Sequence, residues 1–337
     1  DKLYVEQKLQ EINQQSSSNN QIGNPMRDIN LHQGPKAPQI ISGGQWFNSP
    51  PLQISQLNNQ VVLLDFWTYS CINCQRTLPY LRQWQKKYQD KGLTIIGVHS
   101  PEFEFEKQSN NVQQAIQDFN LTYPIVQDNE FATWKAYNNR YWPAKYLIDK
   151  NGYIRYTHFG EGNYDETEQA IQELLNEING FELDTQVNNS TYQTYSQTPE
   201  TYLGYLRIDN FTSPQPIMRN ALSSYTFPSK LTNNTFAFEG EWQVMEEYAN
   251  PQSGSKLELS FESKEVFLVM RPKQKKAQVR VYLDDKIQFP GLDNKSGVVT
   301  LDTDRLYKLI DLPSPGRHVL RLEFNDANVE LYAFTFG

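Results

Sequence analysis

Cysteine is nearly absent: 337 residues contain only Cys71 and Cys74, with Ile72 and Asn73 between them. A disulfide-stapled scaffold is excluded, because a bridge between these two closes too small a loop to constrain the unfolded chain. Long hydrophobic runs are also missing. No segment approaches the roughly 18 consecutive apolar residues of a membrane span, and Asp1 opens no signal-peptide pattern. Positive charge is in deficit, with 31 Lys and Arg against 39 Asp and Glu, and the net charge of −8 argues against general affinity for nucleic acid or anionic lipid. The one dense basic cluster, Lys273, Lys275 and Lys276 beside Pro272, reads as a solvated loop. Histidine is rare and scattered at His32, His99, His158 and His318, and no second cysteine pair exists, so a four-ligand zinc site has no local basis. The sequence implies no metal and no cofactor.

Aromatic residues, by contrast, are plentiful: 20 Tyr, 18 Phe and 6 Trp suit β-structure and can fill sizeable cores. The length exceeds what one core usually serves, so two folded domains plus tails are expected. Residues 1–37 read as an extension. Within it Leu3, Val5, Leu9 and Ile12 hint at a short helix, and QQSSSNNQIGN, residues 14–24, is a polar tether. Globular pattern begins near Pro38, where Ile40, Ile41, Trp46 and Phe47 flank Gly43-Gly44 in the manner of a hairpin.

From Val61 to Trp67 the run VVLLDFW is nearly all apolar, as in a strand covered on both faces. After the cysteines, Leu78, Leu81, Trp84 and Tyr88 recur at helical spacing up to Gly92. Further strands are expected at 94–98, 146–148 and 153–158, the last two joined by an Asn151-Gly152 turn. Helices are expected at 112–119 and over Ile171, Leu174, Leu175 and Ile178, ended by Gly180. This order is that of a thioredoxin-like α/β domain over 38–180. Residues 181–197 read as a linker, and 198–337 as an all-β sandwich with strands at 257–261, 266–270, 279–283, 307–310, 319–324 and 329–336. Asp284-Asp285, Pro290-Gly291 and Pro315-Gly316 supply candidate turns between them.

The cysteine pair sits where a buried strand gives way to a helix. Cys71 would cap that helix, whose free N–H groups and dipole stabilise a thiolate, the attacking species in disulfide exchange. Cys74, one turn on, would resolve the mixed disulfide. Asp65 lies inside the apolar strand, where burial raises a carboxyl's pKa, and it could exchange a proton with Cys74 through water. Trp142-Pro143 precedes a core strand, a place where proline calls for a special turn. A cis bond there, facing Cys71, would leave backbone groups free to hold a substrate chain as an added strand.

The segments DFWTYSCINCQRTLPYL (65–81), GVHSPEFEFEK (97–107), YWPAKYLID (141–149) and FGEGNY (159–164), with the closing GRHVLRLEF and LYAFTFG, resemble the periplasmic part of the DipZ family. The resemblance runs from about Pro38 to Gly337. It implies a thioredoxin-like domain of the TlpA and ResA type followed by a jelly-roll module resembling carbohydrate-binding domains. It also implies a soluble fragment following the last span of a CcdA-like membrane domain, tethered to the inner membrane in the full-length bacterial protein. Cys71 and Cys74 would then carry electrons from that membrane donor to disulfides of exported proteins, with Asp65 and Pro143 matching the wider thioredoxin pattern. Thr77 stands where the cytochrome-maturation branch carries glutamate, and Asn73 offers neither histidine nor proline between the cysteines.

Two other functions compete. Thr68-Tyr69-Ser70-Cys71 reproduces the T-x-x-C of thiol peroxidases, although Leu64 stands where their motif has proline. Alternatively the β-module recognises a sugar or an envelope protein and the redox domain is vestigial. Trp242 and the tyrosines could stack on sugar rings, and Asp284, Asp285, Asp302 and Asp304 could hold Ca²⁺. Core packing and hairpin turns are the plainer roles for these residues. Glu102, Glu104 and Glu106, alternating with Phe103 and Phe105, suit either the rim of the redox site or an edge loop with its aromatics tucked inward.

Overall fold

The computed structural model describes residues 31, 33–180, 185–187, 189, 192–274, 276–287, 291 and 293–337. The expected N-terminal helix and tether, His32, part of the linker, Lys275 and Pro290 lie outside the described residues.

The first sheet contains β1 (Trp46–Phe47), β2 (Val61–Trp67), β3 (Leu93–His99), β4 (Ile125–Gln127), β5 (Ala144–Ile148) and β6 (Ile154–Phe159), in the order β1-β4-β3-β2-β5-β6. All seven residues of β2 are buried, and β2 pairs with β3 in parallel and with β5 antiparallel. Strand alternation then separates its two faces. Val62, Leu64 and Phe66 join Ile96, Val98, Val126 and Tyr146 in one apolar cluster. Asp65 points to the opposite face, in register with Gly97 on β3 and Lys145 on β5.

Among the described residues, four α-helices accompany this sheet: α1 (Ile72–Tyr88), α2 (Ser109–Asp118), α3 (Ala132–Ala136) and α4 (Tyr164–Asn179). Helix α1 buries Leu78, Leu81, Trp84 and Tyr88, the helical stripe seen in the sequence. Gly180 ends α4 in the left-handed conformation, with its N–H on the Asn176 carbonyl.

The expected hairpin around Gly43-Gly44 does not form. Trp46 and Phe47 pair instead with Val126 and Ile125. The two glycines serve close approach rather than a turn, since a Cβ on Gly43 would stand 2.7 Å from the Asn129 nitrogen and one on Gly44 2.9 Å from the Gln127 side chain. Residues Gly34–Ala37, which sequence patterning leaves in the extension, hydrogen-bond to Gly152 and Ile154. Main-chain pairing of this kind needs no apolar signature.

An all-β region follows: β7 (Thr201–Tyr202), β8 (Leu222–Tyr225), β9 (Phe236–Val244), β10 (Ala249–Pro251), β11 (Lys256–Pro272), β12 (Ala277–Leu283), β13 (Lys286–Ile287), β14 (Asn294–Lys295), β15 (Val298–Leu301), β16 (Arg305–Phe324) and β17 (Val329–Phe336). These strands form one hydrogen-bonded sheet around a core that includes Phe238, Trp242, Leu259, Val281, Leu322 and Phe334. The strands expected at 257–261 and 266–270 are halves of β11, and those at 307–310 and 319–324 are halves of β16. Pro315-Gly316 therefore lies inside a strand and is not a turn. The ladder skips there, from Ser263 opposite Gly316 to Glu265 opposite Asp311, so the prolines sit in an exposed bulge that lacks their N–H bonds without ending the strand. Asp284 and Asp285 do make the turn between β12 and β13, with φ of 50° and 61°.

Both sheets lie in one compact unit, Gln33–Gly337. Phe103 and Phe105 of the 101–107 loop pack on Tyr332 of β17, with ring centroids 5.0 and 4.8 Å away. Glu102 meets Arg207 at 2.8 Å and the Tyr202 hydroxyl at 2.9 Å. Arg76 of α1 reaches the β-region too, its Nη2 standing 3.9 Å from Glu265 Oε2 of β11.

Candidate functional site

Strand β2 delivers the chain directly to the cysteines. Cys71 occupies the N-cap of α1 in extended conformation, and its Sγ accepts the Cys74 N–H at 3.3 Å. Both cysteines are free thiols. Cys71 is partly exposed and Cys74 is fully buried. The pair thus has one sulfur that an incoming molecule can reach and one that only its neighbour can. Burial pushes the Cys74 thiol up, and the adjacent Cys71 and Asp65 push it the same way.

Asp65 is fully buried, on the face of β2 opposite Val62, Leu64 and Phe66. Burial raises its carboxyl from the ordinary 3.8 to about 6, against the pull of Lys145, whose Nζ stands 3.5 Å from Oδ1. Lys145 is itself 1% exposed. A strand beginning at Tyr146, as the sequence pattern suggests, leaves this lysine out, whereas β5 begins at Ala144. The available signal was a charge one residue upstream of an apolar strand, in a register that only sheet pairing reveals.

The Trp142–Pro143 peptide bond is cis. Because Ala144 pairs with Phe66, Pro143 lies beside the end of β2 from which the cysteine loop departs. Trp142 Nε1 donates to the Ser100 carbonyl at 2.9 Å, and Ser100 N–H donates to the Trp67 carbonyl. The segments 67–71, 99–100 and 142–143 are thereby tied together at one end of the sheet. The Pro143 carbonyl is already taken by the Gly160 N–H at 2.8 Å, which leaves that group out of any strand-like hold on a substrate.

A third buried group lies in the 102–106 stretch. Glu106 is fully buried, and its Oε1 accepts the Ser70 hydroxyl at 2.6 Å and the Ser70 N–H at 3.3 Å. Burial pushes its carboxyl from 4.5 to about 7, against the Ser70 bond. Of the two readings of the 102–106 stretch, the aromatics are indeed tucked inward, while Glu106 reaches the residue before Cys71. His99, also buried, is pushed down to about 3 and stands neutral near Thr68, 3.4 Å from its hydroxyl.

Other candidates disperse. Trp242 is fully buried and stacks on Phe238 at 4.0 Å, so it offers no face to a sugar. Asp284 pairs with His318, Asp285 with Arg321, Asp302 with Arg305 and Asp304 with Arg271, so these carboxylates face histidine and arginine side chains rather than one another. Among the described residues no group of three or more His, Cys, Asp or Glu is placed to hold a metal.

Comparison with known proteins agrees with this geometry. Residues 34–157 match the AhpC/TSA family, and residues 198–337 match a family described as a thioredoxin-like C-terminal domain. Protein DipZ of Mycobacterium tuberculosis is 38% identical over 242 residues, which cover 69% of this chain and 35% of that protein. The chain is a homologue of DipZ. It spans about a third of the length of that relative. The thiol-disulfide oxidoreductase YkuV of Bacillus subtilis is 27% identical over 140 residues, covering 42% of this chain and 94% of YkuV. Among solved structures, a thioredoxin-like protein in its oxidised form is 28% identical over 44% of this chain and 99% of its own, with a TM-score of 0.40. The first region is a thioredoxin-like α/β domain with its two cysteines adjacent, and a large all-β region follows it.

Proposed function

We propose that the chain is an extracytoplasmic thiol–disulfide reductase, working through Cys71 and Cys74. The observation that carries this reading is the pairing of a reachable Cys71 at a helix N-cap with a buried Cys74 beside buried Asp65. The Cys71 thiolate attacks one sulfur of a substrate disulfide and expels the other as thiolate, forming a mixed disulfide. Asp65 takes the Cys74 proton, and the resulting thiolate attacks the Cys71 sulfur. The substrate leaves with two thiols, and the chain holds the Cys71–Cys74 disulfide, having given up two electrons. At pH 7 a carboxyl with a pKa of about 6 is about nine-tenths ionised and ready to accept that proton.

The electron source in this proposal is a CcdA-like membrane domain in the full-length polypeptide, which places the chain on the outer side of the inner membrane. Its targets are disulfides of exported proteins, with Trp142 and Pro143 contributing to substrate contact. The similarity to DipZ supports that assignment. The domain division that accompanies it is 38–180 for the redox domain and 198–337 for the β-module, joined by 181–197. Equilibration of the dithiol against glutathione tests the direction of flow. A reductase lies well below the glutathione pool, and a potential near the roughly −120 mV of a strong oxidant refutes the assignment.

A second reading, with the β-region as a sugar- or protein-binding module, has one observation behind it. A cleft of about 480 Å³ lies between the two regions, lined by Tyr69 and Gln75 on one side and by Phe267, Thr303, Arg305 and Lys308 on the other. Glycan-array or envelope pull-down binding that survives Cys71→Ala, with negligible disulfide reduction, would favour it.

A further inference from the structure

The role of the β-region in the dithiol chemistry follows from the buried carboxylate that links the two. Glu106 sits in the short turn Glu104–Lys107 and uses both its oxygens. Oε2 accepts the N–H groups of Glu102 at 2.6 Å and Phe103 at 3.0 Å, which closes its own loop, while Oε1 accepts both donors of Ser70. Four donors around one buried carboxylate form a satisfied knot, and such a knot holds its partners in one arrangement. Ser70 is bonded directly to Cys71 in the chain.

The other side of the same loop is held by the β-region. Phe105 lies between Tyr332 of β17 at 4.8 Å and Tyr69 of the cysteine loop at 6.2 Å. Phe103 rests on Tyr332, the Glu104 N–H donates to Glu247 at 2.9 Å, and Glu102 is clamped by Arg207 and Tyr202. These contacts attach residues 102–105 to three separate points of the β-region.

We propose that Glu106 is a positioning residue for the dithiol, through which the β-region's hold on the 101–107 loop fixes the cysteine loop at Ser70. The inference rests on the dithiol-exchange reading. Its charge stands behind the cysteine loop and its Oε1 holds both Ser70 donors, so weakening that charge or that hold favours the Cys71 thiolate, and with it the reduced form.

The test uses the full chain and the equilibrium of the Cys71/Cys74 pair with glutathione, with thermal unfolding followed in parallel. Glu106→Gln is expected to shift the equilibrium constant about tenfold toward the dithiol, equivalent to about 30 mV. Tyr332→Leu, a change in β17 of the β-region, is expected to shift it about threefold the same way. The double variant is expected to move it no further than Glu106→Gln alone, because both act along one path. Ser70→Ala, which removes only the 2.6 Å bond, provides the same readout should Glu106→Gln fail to fold. A folded Glu106→Gln or Ser70→Ala within twofold of the parent, a shift toward the disulfide, or additive effects of Glu106→Gln and Tyr332→Leu overturns the proposal. Failure of the unaltered chain to exchange with glutathione at all would instead overturn the dithiol reading beneath it.

Discussion

Replacing Asp65 with Asn keeps the volume of the side chain and removes its ability to take a proton. Burial has already lifted the carboxyl to about 6, so its ionised fraction falls from about nine-tenths at pH 7 to one half at pH 6 and about one-tenth at pH 5. If that carboxylate accepts the Cys74 proton, the resolving step slows about tenfold over this range in the parent chain. In Asp65→Asn the step should be slower by about a hundredfold at pH 7, the lower end of what a positioned base contributes, and the inflection near pH 6 should vanish. Rapid-mixing measurement with an aromatic disulfide resolves the two events, since attack by Cys71 releases one chromophoric thiolate and resolution by Cys74 releases the second. Lys145 supplies an independent check. Its charge holds the Asp65 carboxyl down, so Lys145→Met should move the inflection upward in pH. A second phase that shows no inflection between pH 5 and 8, or that Asp65→Asn leaves untouched, refutes the assignment of Asp65 as proton acceptor.

Further outcomes follow from the same geometry. The Asp65 carboxyl is raised in the native state, so the unfolded chain ionises first. Stability attributable to this group is greatest below about pH 4, is lost as pH rises to about 6, and stays lost above, by up to about 3 kcal/mol. Denaturant unfolding of an Asp65→Asn, Lys145→Met double variant, which removes both buried charges, should show that dependence flattened. Cys74→Ala should accumulate the mixed disulfide with a substrate protein, whereas Cys71→Ala should form none, because only Cys71 is reachable; non-reducing electrophoresis distinguishes the two. Peroxide consumption by the reduced chain should be far slower than disulfide reduction, and fast consumption dependent on Cys71 would place the peroxidase reading first. Trp242→Ala, which empties a buried site stacked on Phe238, should cost about 3–5 kcal/mol in unfolding, with the loss measured by denaturant titration.

What could be read along the chain was whatever depends on near neighbours. Helical spacing of Leu78, Leu81, Trp84 and Tyr88, the apolar run around Asp65, and the cysteines at the junction between them sufficed to place the dithiol at a helix start, because strand period, helix period and capping are local properties. Burial of Asp65 was legible for the same reason: a carboxylate inside a two-sided strand has no route to water.

Long-range register was not legible. Lys145 meets Asp65 only because β5 pairs antiparallel with β2 across 80 residues, and one residue of slip would turn it to the other face. The same limit explains the pairing of β1 with β4 in place of a hairpin, and the continuity of β16 through Pro315-Gly316, where the partner strand decides whether prolines end a strand or bulge from it. Glu106 shows it most clearly. Its sequence surroundings suit a redox-site rim and an acidic edge loop alike, and only the docking of Phe103 and Phe105 onto Tyr332 turns that carboxylate inward to Ser70. Such contacts join residues tens to hundreds of positions apart, and their energies come from mutual burial that neither segment's own pattern encodes.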